Sequence, residues 1–470
     1  MRRLTPFLLV ALTGVADASW QEVDDPPVIQ DDLEALLDDG LDELLGGDGL
    51  GEFDRTGDGS DPLTSWKGFF EIRPRVYFQD RDKGQNNEQL ILESELELDF
   101  QFSESLSGYF RPRFYVDSLD GDLERFEPFE AYLTHEDRNY DVRVGQLVEN
   151  WGIVDTYNPI DVINRRDLAT DFLDVTRQGE LGIRVRRFLK GDDRIGEPTL
   201  SFYALPVWRR TRFAPEDQRF AFVLPGVRFD EDGGFEPEGS ERAMFAARFA
   251  STYSSKPVNA DFQVLLARGP ERSPAVVLGP AAEFVPAYFG ASTLGMGFRA
   301  VPNEASAGRF LSTLTLKAEV VYKHPYRFDH RGLSTPDDFV AYVLGVDRQF
   351  YNVFNDQDVV TVTVEYAGED GAHDMTRNFR PFRDDLIMRA FWDRNDFART
   401  SVEVRGIYDL DNHEVILEGV LERQLRALHE DLKLTLQVQW FDPPGNGKSL
   451  FDYFPNNSSV AVGLRWDFGS

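Results

Sequence analysis

From Phe69 onward, apolar and polar residues alternate with a period of two. In the run Phe70 to Phe78 one face carries Phe70, Ile72, Pro74, Val76 and Phe78, and the other carries Glu71, Arg73, Arg75 and Tyr77. The next run sets Leu90, Leu92, Leu96, Leu98, Phe100 and Phe102 against Glu93, Glu95, Glu97 and Asp99. A third, Gly108 to Ser118, sets Phe110, Phe114 and Val116 against Arg111, Arg113, Tyr115 and Asp117. Successive side chains of a strand point to opposite faces, so this alternation predicts strands with one apolar and one polar face. Runs of about ten residues suit tilted strands that cross a membrane.

The same texture predicts strands at 127–135, 140–148, 178–189, 197–207, 243–253, 258–267, 292–301, 310–323, 338–350, 357–366, 384–394, 399–409, 413–423, 431–441 and 458–468. The total is about eighteen, or sixteen if the less regular stretch 282–350 contributes fewer, and bacterial single-chain barrels use even numbers. Connection lengths alternate as well. Ser103–Ser107, Glu136–Asn139, Ser254–Pro257 and Asn395–Ala398 are short, whereas 149–177, 208–242, 268–291, 367–383 and 442–457 are long. Short turns at one end and long loops at the other are the rhythm of an outer-membrane barrel, which a soluble β-sandwich has no reason to follow.

The final run supports that reading. Val460, Val462, Leu464, Trp466 and Phe468 share a face, opposite Ala461, Gly463, Arg465 and Asp467. An alternating strand closing on an aromatic residue resembles the C-terminal signal that barrel-insertion machinery reads, and assigns that contact to Val460–Phe468. The chain departs from the pattern by continuing to Gly469-Ser470. Aromatics near strand ends, namely Phe69, Phe78, Tyr109, Trp392, Trp440 and Phe441, are candidates for interfacial girdles in contact with outer-membrane lipid. The predicted fold is all-β: an antiparallel transmembrane barrel of about 16–18 strands over 63–470, preceded by a short acidic helical arm.

The first residues have the layout of an export signal. Arg2 and Arg3 precede an apolar core from Phe7 to Val15 and the small-residue site Ala16-Asp17-Ala18, so 1–18 reads as a signal peptide rather than a buried first helix. No later apolar run reaches the ~18 residues a membrane helix needs. The segment 19–62 is acidic, with fifteen carboxylates against Arg55 alone. Leu33, Leu36, Leu37, Leu41, Leu44 and Leu45 recur there at helical spacing, followed by a Gly/Asp linker. Residues 20–62 are either a docking element for a periplasmic transport partner or a solvated spacer. Asp54, Asp58 and Asp61 match half of a calcium loop, but Ser65 stands where the bidentate Glu belongs, so the calcium signal is weak and no metal site is expected.

A net charge of −32 argues against nucleic acid as a partner, and the absence of cysteine removes thiol chemistry and cysteine-based zinc sites. The six histidines, His135, His324, His330, His373, His413 and His429, stand in no nucleophile-elbow or H-E-x-x-H context. Neither an enzyme nor a cofactor is indicated. With apolar faces toward lipid, the polar faces line the lumen: Arg73, Arg75, Glu95, Glu97, Arg111, Arg113, Arg143, Arg184 and Arg186. On the first three strands this sets Arg73 and Arg75 beside Glu95 and Glu97, which lie in turn beside Arg111 and Arg113. Such a wall either braces a wide barrel by cross-strand pairing or imposes a field on permeating solutes.

One stretch breaks the alternation. Between the fifth and sixth predicted strands, 149–177 concentrates Trp151, Asp155, Asn158, Asp161, Arg165 and Arg166, with a turn at Asn158-Pro159. Gly145-Gln146, Trp151-Gly152, Asp155, Asn158-Pro159, Asp161 and Asn164-Arg-Arg-Asp-Leu168 resemble the signature of a poorly characterised family of Gram-negative outer-membrane, porin-like barrels. The resemblance is strongest over 140–190 and excludes 20–62. It implies a barrel often encoded beside RND-type exporters, with no catalytic residues to carry over. By analogy with general porins, the third long loop folds inward as a constriction, anchored by Trp151 and the Asn158-Pro159 turn. Asp155, Asp161, Arg165 and Arg166 then present charge to the passage. The alternative is a rigid loop packed on the wall. The function expected is a passive porin-like channel or export conduit for small solutes or hydrophobic compounds. The competing reading is a plugged barrel acting as a docking component of an envelope transport system.

Overall fold

The computed structural model describes residues 62–469, apart from 79–86, 120–124, 170–175, 215–218, 221–228, 231–233, 279–282, 303–311, 327–334, 372–381 and 443–456. The expected signal peptide, the acidic arm and the weak calcium candidates Asp54, Asp58 and Asp61 lie outside the described residues.

Alternating residues fold into alternating strands. The first five are β1 (Leu63–Tyr77), β2 (Glu88–Ser103), β3 (Leu106–Asp117), β4 (Arg125–Asp137) and β5 (Tyr140–Leu147). A small hairpin, β6 (Arg165–Asp167) and β7 (Thr176–Gln178), interrupts before β8 (Glu180–Phe188), β9 (Thr199–Leu205), β10 (Met244–Ser254) and β11 (Val258–Pro270). A second hairpin, β12 (Ala275–Leu278) and β13 (Phe284–Ala287), precedes β14 (Gly290–Pro302), β15 (Leu314–Tyr326), β16 (Phe339–Tyr351), β17 (Val359–Asp370) and β18 (Asp384–Asp393). The chain ends with β19 (Ser401–Asp409), β20 (Val415–Gln424), β21 (Leu432–Asp442) and β22 (Ser459–Gly469).

Leaving aside the two loop hairpins, the sheet has 18 strands, each paired antiparallel with its chain neighbour. It closes where β1 meets β22, with Lys67 opposite Gly469 and Tyr77 opposite Ser459. Closure leaves no unpaired edge in the sheet, the condition a strand-built membrane protein must meet. The stretch 282–350 contributes its full share of strands, which decides for eighteen over sixteen. Among the described residues the only helical element is the 3-10 turn Gly239–Arg242.

The period of two sorts side chains between lipid and lumen. Phe126, Leu133, Val144, Phe202, Phe245, Leu266, Met296, Leu344, Met388, Val404 and Val462 stand on the outer face, exposed in the isolated chain. Glu71, Arg75, Tyr77, Gln89 and Glu93 are buried on the inner one. Two of the expected girdle residues on the outer wall are outward and exposed, Phe78 and Trp440. Trp392 also faces out, where it packs on Phe354 at 5.6 Å. Three girdle expectations are corrected. Phe69 lies inside under the Arg465 guanidinium at 3.6 Å, Tyr109 donates to Glu97 inside the lumen, and Phe441 belongs to an interior apolar cluster. Aromatic character marks a strand end, but parity decides which side of the wall it occupies. At the turn end, Trp66, Trp466 and Phe468 form an aromatic group, with centroids 6.0 Å (Trp66 to Phe468) and 5.6 Å (Trp466 to Phe468) apart.

Candidate functional site

The connection between β5 and β8 turns into the barrel. Its base is fixed by charge: Arg184 of β8 reaches Asp141 of β5 and Glu149 of the loop, both at 2.9 Å. Asn164 clasps the loop's ends, accepting from the Glu149 N–H at 2.9 Å and donating to the Glu149 carbonyl at 2.5 Å and to Asp161 at 2.6 Å. Trp151 is buried against Tyr203, its ring 5.2 Å away, and its carbonyl accepts from Gln263 of β11 at 2.5 Å.

Beyond Trp151 the loop reaches wall strands on the other side of the ring. Glu319 of β15 accepts from the N–H groups of Ile153 and Val154, at 2.5 and 3.2 Å. Glu365 of β17 accepts from Asp155 and Thr156, at 2.8 and 3.1 Å. Lys317 of β15 joins the Asp155 carboxylate at 2.6 Å to Asp347 of β16 at 2.7 Å. With its amide turned to suit its neighbours, Asn158 donates to the Val154 carbonyl at 3.0 Å and to Glu319 at 3.1 Å. The loop therefore runs as a chord from β5 and β8 to β17. Backbone N–H groups lifted out of the sheet are paired by wall carboxylates, so the crossing leaves few buried donors empty.

Close approach is permitted by glycine. Gly295 and Gly297 both face inward on β14, where a Cβ would meet Ile160 Cγ2 at 3.2 Å and Ile153 Cδ1 at 2.8 Å respectively. The wall is thinned at the two positions over which the loop lies.

The inner face of β18 to β22 and β1 forms the other part of the ring. It holds a cavity of about 400 Å³ lined by Glu71, Arg73, Glu403, Arg405, Glu418, Glu422, Lys433 and Arg465 among other residues. Four carboxylates face four cations, and most are already paired. Arg73 bonds Glu71 at 2.7 Å, Lys433 bonds Glu422 at 3.0 Å, Arg389 bonds Glu403 at 2.7 Å, and Arg405 bonds Glu418. The wall continues around β2 to β4 with Arg111 to Glu95 at 3.3 Å, Arg111 to Glu130 at 2.9 Å and Arg113 to Glu93 at 2.8 Å. Toward the long-loop end the interior becomes apolar. Val343, Ala367, Ile387, Ile407, Ile416 and Phe441 of the wall belong to one cluster with Val154, Leu168, Phe213, Phe220, Phe229 and Val276 of the loops.

Every pore-lining residue expected from the sequence points inward, but their partners and exposure differ from expectation. Arg73 and Arg75 do not sit beside Glu95 and Glu97, because the register places Arg73 opposite Ile91 and Arg75 opposite Gln89. Glu97 instead meets Lys67 at 3.0 Å. Arg75 is 1% exposed and Arg184 4%, so both are enclosed by protein and do not border open water. Arg143 faces in beneath the Tyr132 ring at 4.7 Å, and Arg186 pairs with Asp141 at 2.5 Å. In the loop, Trp151 and Asn158 are buried as anchors, and Asp155 reaches the wall. Asp161 is held by Arg177 at 2.5 Å with a side chain 2% exposed, which corrects its assignment to the passage. Arg165 approaches Glu127 at 3.9 Å, and Arg166 lies 6.0 Å from the Tyr157 ring. Lys317, Glu319, Glu365, Gly295 and Gly297 were not singled out in the sequence. The alternating glycines of Leu294–Phe298 were the one available signal, since small residues on a lumen face mark a close approach. Among the described residues no cluster of His, Asp and Glu is arranged to hold a metal.

No protein-family model matches the chain, and no curated protein matches it. Solved structures do. Wzi, an outer-membrane protein involved in group 1 capsule assembly in Escherichia coli and described as a carbohydrate-binding β-barrel, aligns with 86% of this chain and 84% of its own, at 9% identity and a TM-score of 0.48. OccK11 of Pseudomonas aeruginosa aligns over 87% and 96%, at 10% identity and a TM-score of 0.46. OccAB3 of Acinetobacter baumannii aligns over 87% and 100%, also at 10% identity and 0.46. Similarity at this level extends to the barrel fold alone. The location follows from the barrel itself: a closed ring of 18 antiparallel strands, apolar outside and charged within. This is a protein of the bacterial outer membrane.

Proposed function

We propose that the protein is a porin-like channel whose passage is set by the loop between β5 and β8. The observation that carries this is the chord from Trp151 to Thr156, bonded to Gln263, Glu319 and Glu365 across the lumen. It covers one side of the ring and leaves the charged cavity along β18–β22 and β1 as the path. Transport along it is passive diffusion. Balanced ion pairs on the lining favour polar solutes with separated charges over ions of one sign. Asp155, Arg165 and Arg166 supply the loop's own charge to the passage.

A specific observation favours the second reading, a barrel closed at its long-loop end. The apolar cluster of Phe213, Phe229 and Val276 with Ile387, Ile407 and Phe441 is a packed core, not a wetted mouth. On that reading the acidic segment 20–62 carries the activity, as a contact for an RND-type or other envelope transport partner. Planar-bilayer recording separates the two. Discrete conductance steps from the purified protein support the channel, and silence that persists after removal of 150–177 supports the closed barrel.

A further inference from the structure

One sector of the outer wall is concave. Across β8, β9, β10, β11, β14 and β15 the register sets Ile183, Ala204, Phe245, Arg268, Ser292 and His324 in one row. The next row toward the middle of the membrane holds Val185, Phe202, Ala247, Leu266, Leu294 and Tyr322. Parity turns both rows outward, and Phe202, Phe245 and Leu266 are exposed in the isolated chain. Ala204, Ala247 and Ser292 are short, so the wall recedes between their bulkier neighbours. The result is an open groove of about 720 Å³ lined chiefly by these two rows.

A purely apolar groove would be ordinary lipid-facing wall, but the first row is not apolar. It lies at the long-loop end, where β9, β11 and β15 finish and β10 and β14 start, and that end faces the cell exterior in barrels of this kind. A lipid-facing arginine is costly at mid-membrane and tolerated only near the interface, so Arg268 stands at the level of the outer headgroups. Its guanidinium lies over the Tyr326 ring at 4.9 Å, and that ring crosses Gly290, where a Cβ would collide with it. Among the described residues Arg268 pairs with no carboxylate. Asp338, beyond His324, is already taken up by Tyr322 at 2.5 Å and by His324 at 2.7 Å. An ordered, unneutralised cation at the head of an apolar groove is complementary to an anionic headgroup borne on acyl chains. Six strands about 4.8 Å apart make the groove about 24 Å wide, more than two acyl chains lying abreast would cover.

We propose that this groove is a docking site for a phosphorylated, multiply acylated glycolipid of the outer leaflet. Arg268 and the Ser292 hydroxyl hold a phosphate of its headgroup, since a guanidinium fork matches phosphate oxygens. Its acyl chains run down the groove over Phe202, Ala247, Leu266 and Leu294. The site lies on the outside of the barrel and stands whether or not the lumen conducts.

The test is native mass spectrometry of the delipidated protein in detergent, titrated with lipid A, with lipid A stripped of its phosphates, and with diacyl phosphatidylglycerol. The wild-type protein is expected to hold lipid A about tenfold more tightly than either comparison lipid. Arg268→Gln is expected to weaken lipid A about tenfold, the loss of one hydrogen bond to a charged group, and to leave the dephosphorylated lipid unchanged. Ala247→Phe fills the groove and is expected to weaken both. Arg187→Gln removes an exposed cation from the outer face at the turn end of β8 and is expected to change neither. Heat-dependent gel mobility confirms that each variant is folded. Equal affinity for lipid A with and without its phosphates in the wild type overturns the proposal. Phosphatidylglycerol bound as tightly as lipid A overturns it too, because the groove then belongs to a two-chain phospholipid. An equal loss in Arg187→Gln and Arg268→Gln would reduce the effect to general surface charge and has the same consequence. A lipid-free oligomer that Ala247→Phe dissociates gives the groove to a second copy of the chain, again against the proposal.

Discussion

A carboxylate and an arginine that hold the inward loop each make a separate prediction. Glu365 is the acceptor for the N–H groups of Asp155 and Thr156. Glu365→Ala leaves both donors without an acceptor, at a cost of about 1–3 kcal/mol each, and the loop is expected to leave the wall and the conductance to rise. Glu365→Gln keeps an acceptor oxygen and is expected to change conductance much less; equal behaviour of the two variants would show that these bonds do not position the loop. Arg184 plays a different part, since it neutralises Asp141 and Glu149 together in a buried setting. Arg184→Ala strands the buried Glu149 carboxylate while Asp141 keeps Arg186, and a loss of about 3–5 kcal/mol is expected as a fall in Tm. At this scale the sequence was partly legible. Parity placed Arg73, Arg111, Arg113, Arg143 and Arg184 inside, because inward and outward follow from a period of two. It did not show that Arg184 is enclosed or that Asp161 turns away from the passage toward Arg177. Those outcomes depend on where a loop comes to rest.

The 148–179 connection is the element that departs from strand logic, and its docking face is built from glycine. Gly295 and Gly297 leave room for Ile160 and Ile153. Gly297→Val places a branched side chain against Ile153 and is expected to push the loop into the remaining passage, lowering conductance while the barrel stays folded. An unaltered conductance would mean that the loop does not rest on β14 in the membrane. Arg165→Ala with Arg166→Ala removes two cations from the same element and is expected to shift the reversal potential toward cations; an unchanged potential would count against their facing the passage. Loop length and the Asn158-Pro159 turn marked this element in the sequence. Its destination on β15 and β17 was not readable, because Glu319 and Glu365 look like any other polar residue on a lumen face. Strand register was likewise hidden, as the pairing of Glu97 with Lys67 instead of Arg73 shows. Alternation fixes which face a residue occupies but not how far two strands slide past each other.

For the whole molecule, strand count, closure and outer-membrane location were legible, because eighteen alternating runs and an alternating loop rhythm leave few other folds. The distribution of polarity inside the barrel was not. Val343, Ile387, Ile407, Ile416 and Phe441 face inward and are apolar, and they break the rule that the inner face is polar near the long-loop end. They do so because long loops pack there and supply a second apolar layer from Phe213, Phe229 and Val276, which local strand patterns do not report. Apart from that layer, the inner face of β1 and β18–β22 lines the charge-balanced cavity. The central claim is that this loop sets the width of the passage. Single-channel recording of the wild-type protein beside a variant lacking 150–177 tests it most directly. Resolved steps in the wild type, with steps at least about twofold larger in the variant, are the predicted result for removal of an element that spans the lumen. Steps of the same size in both proteins would contradict it.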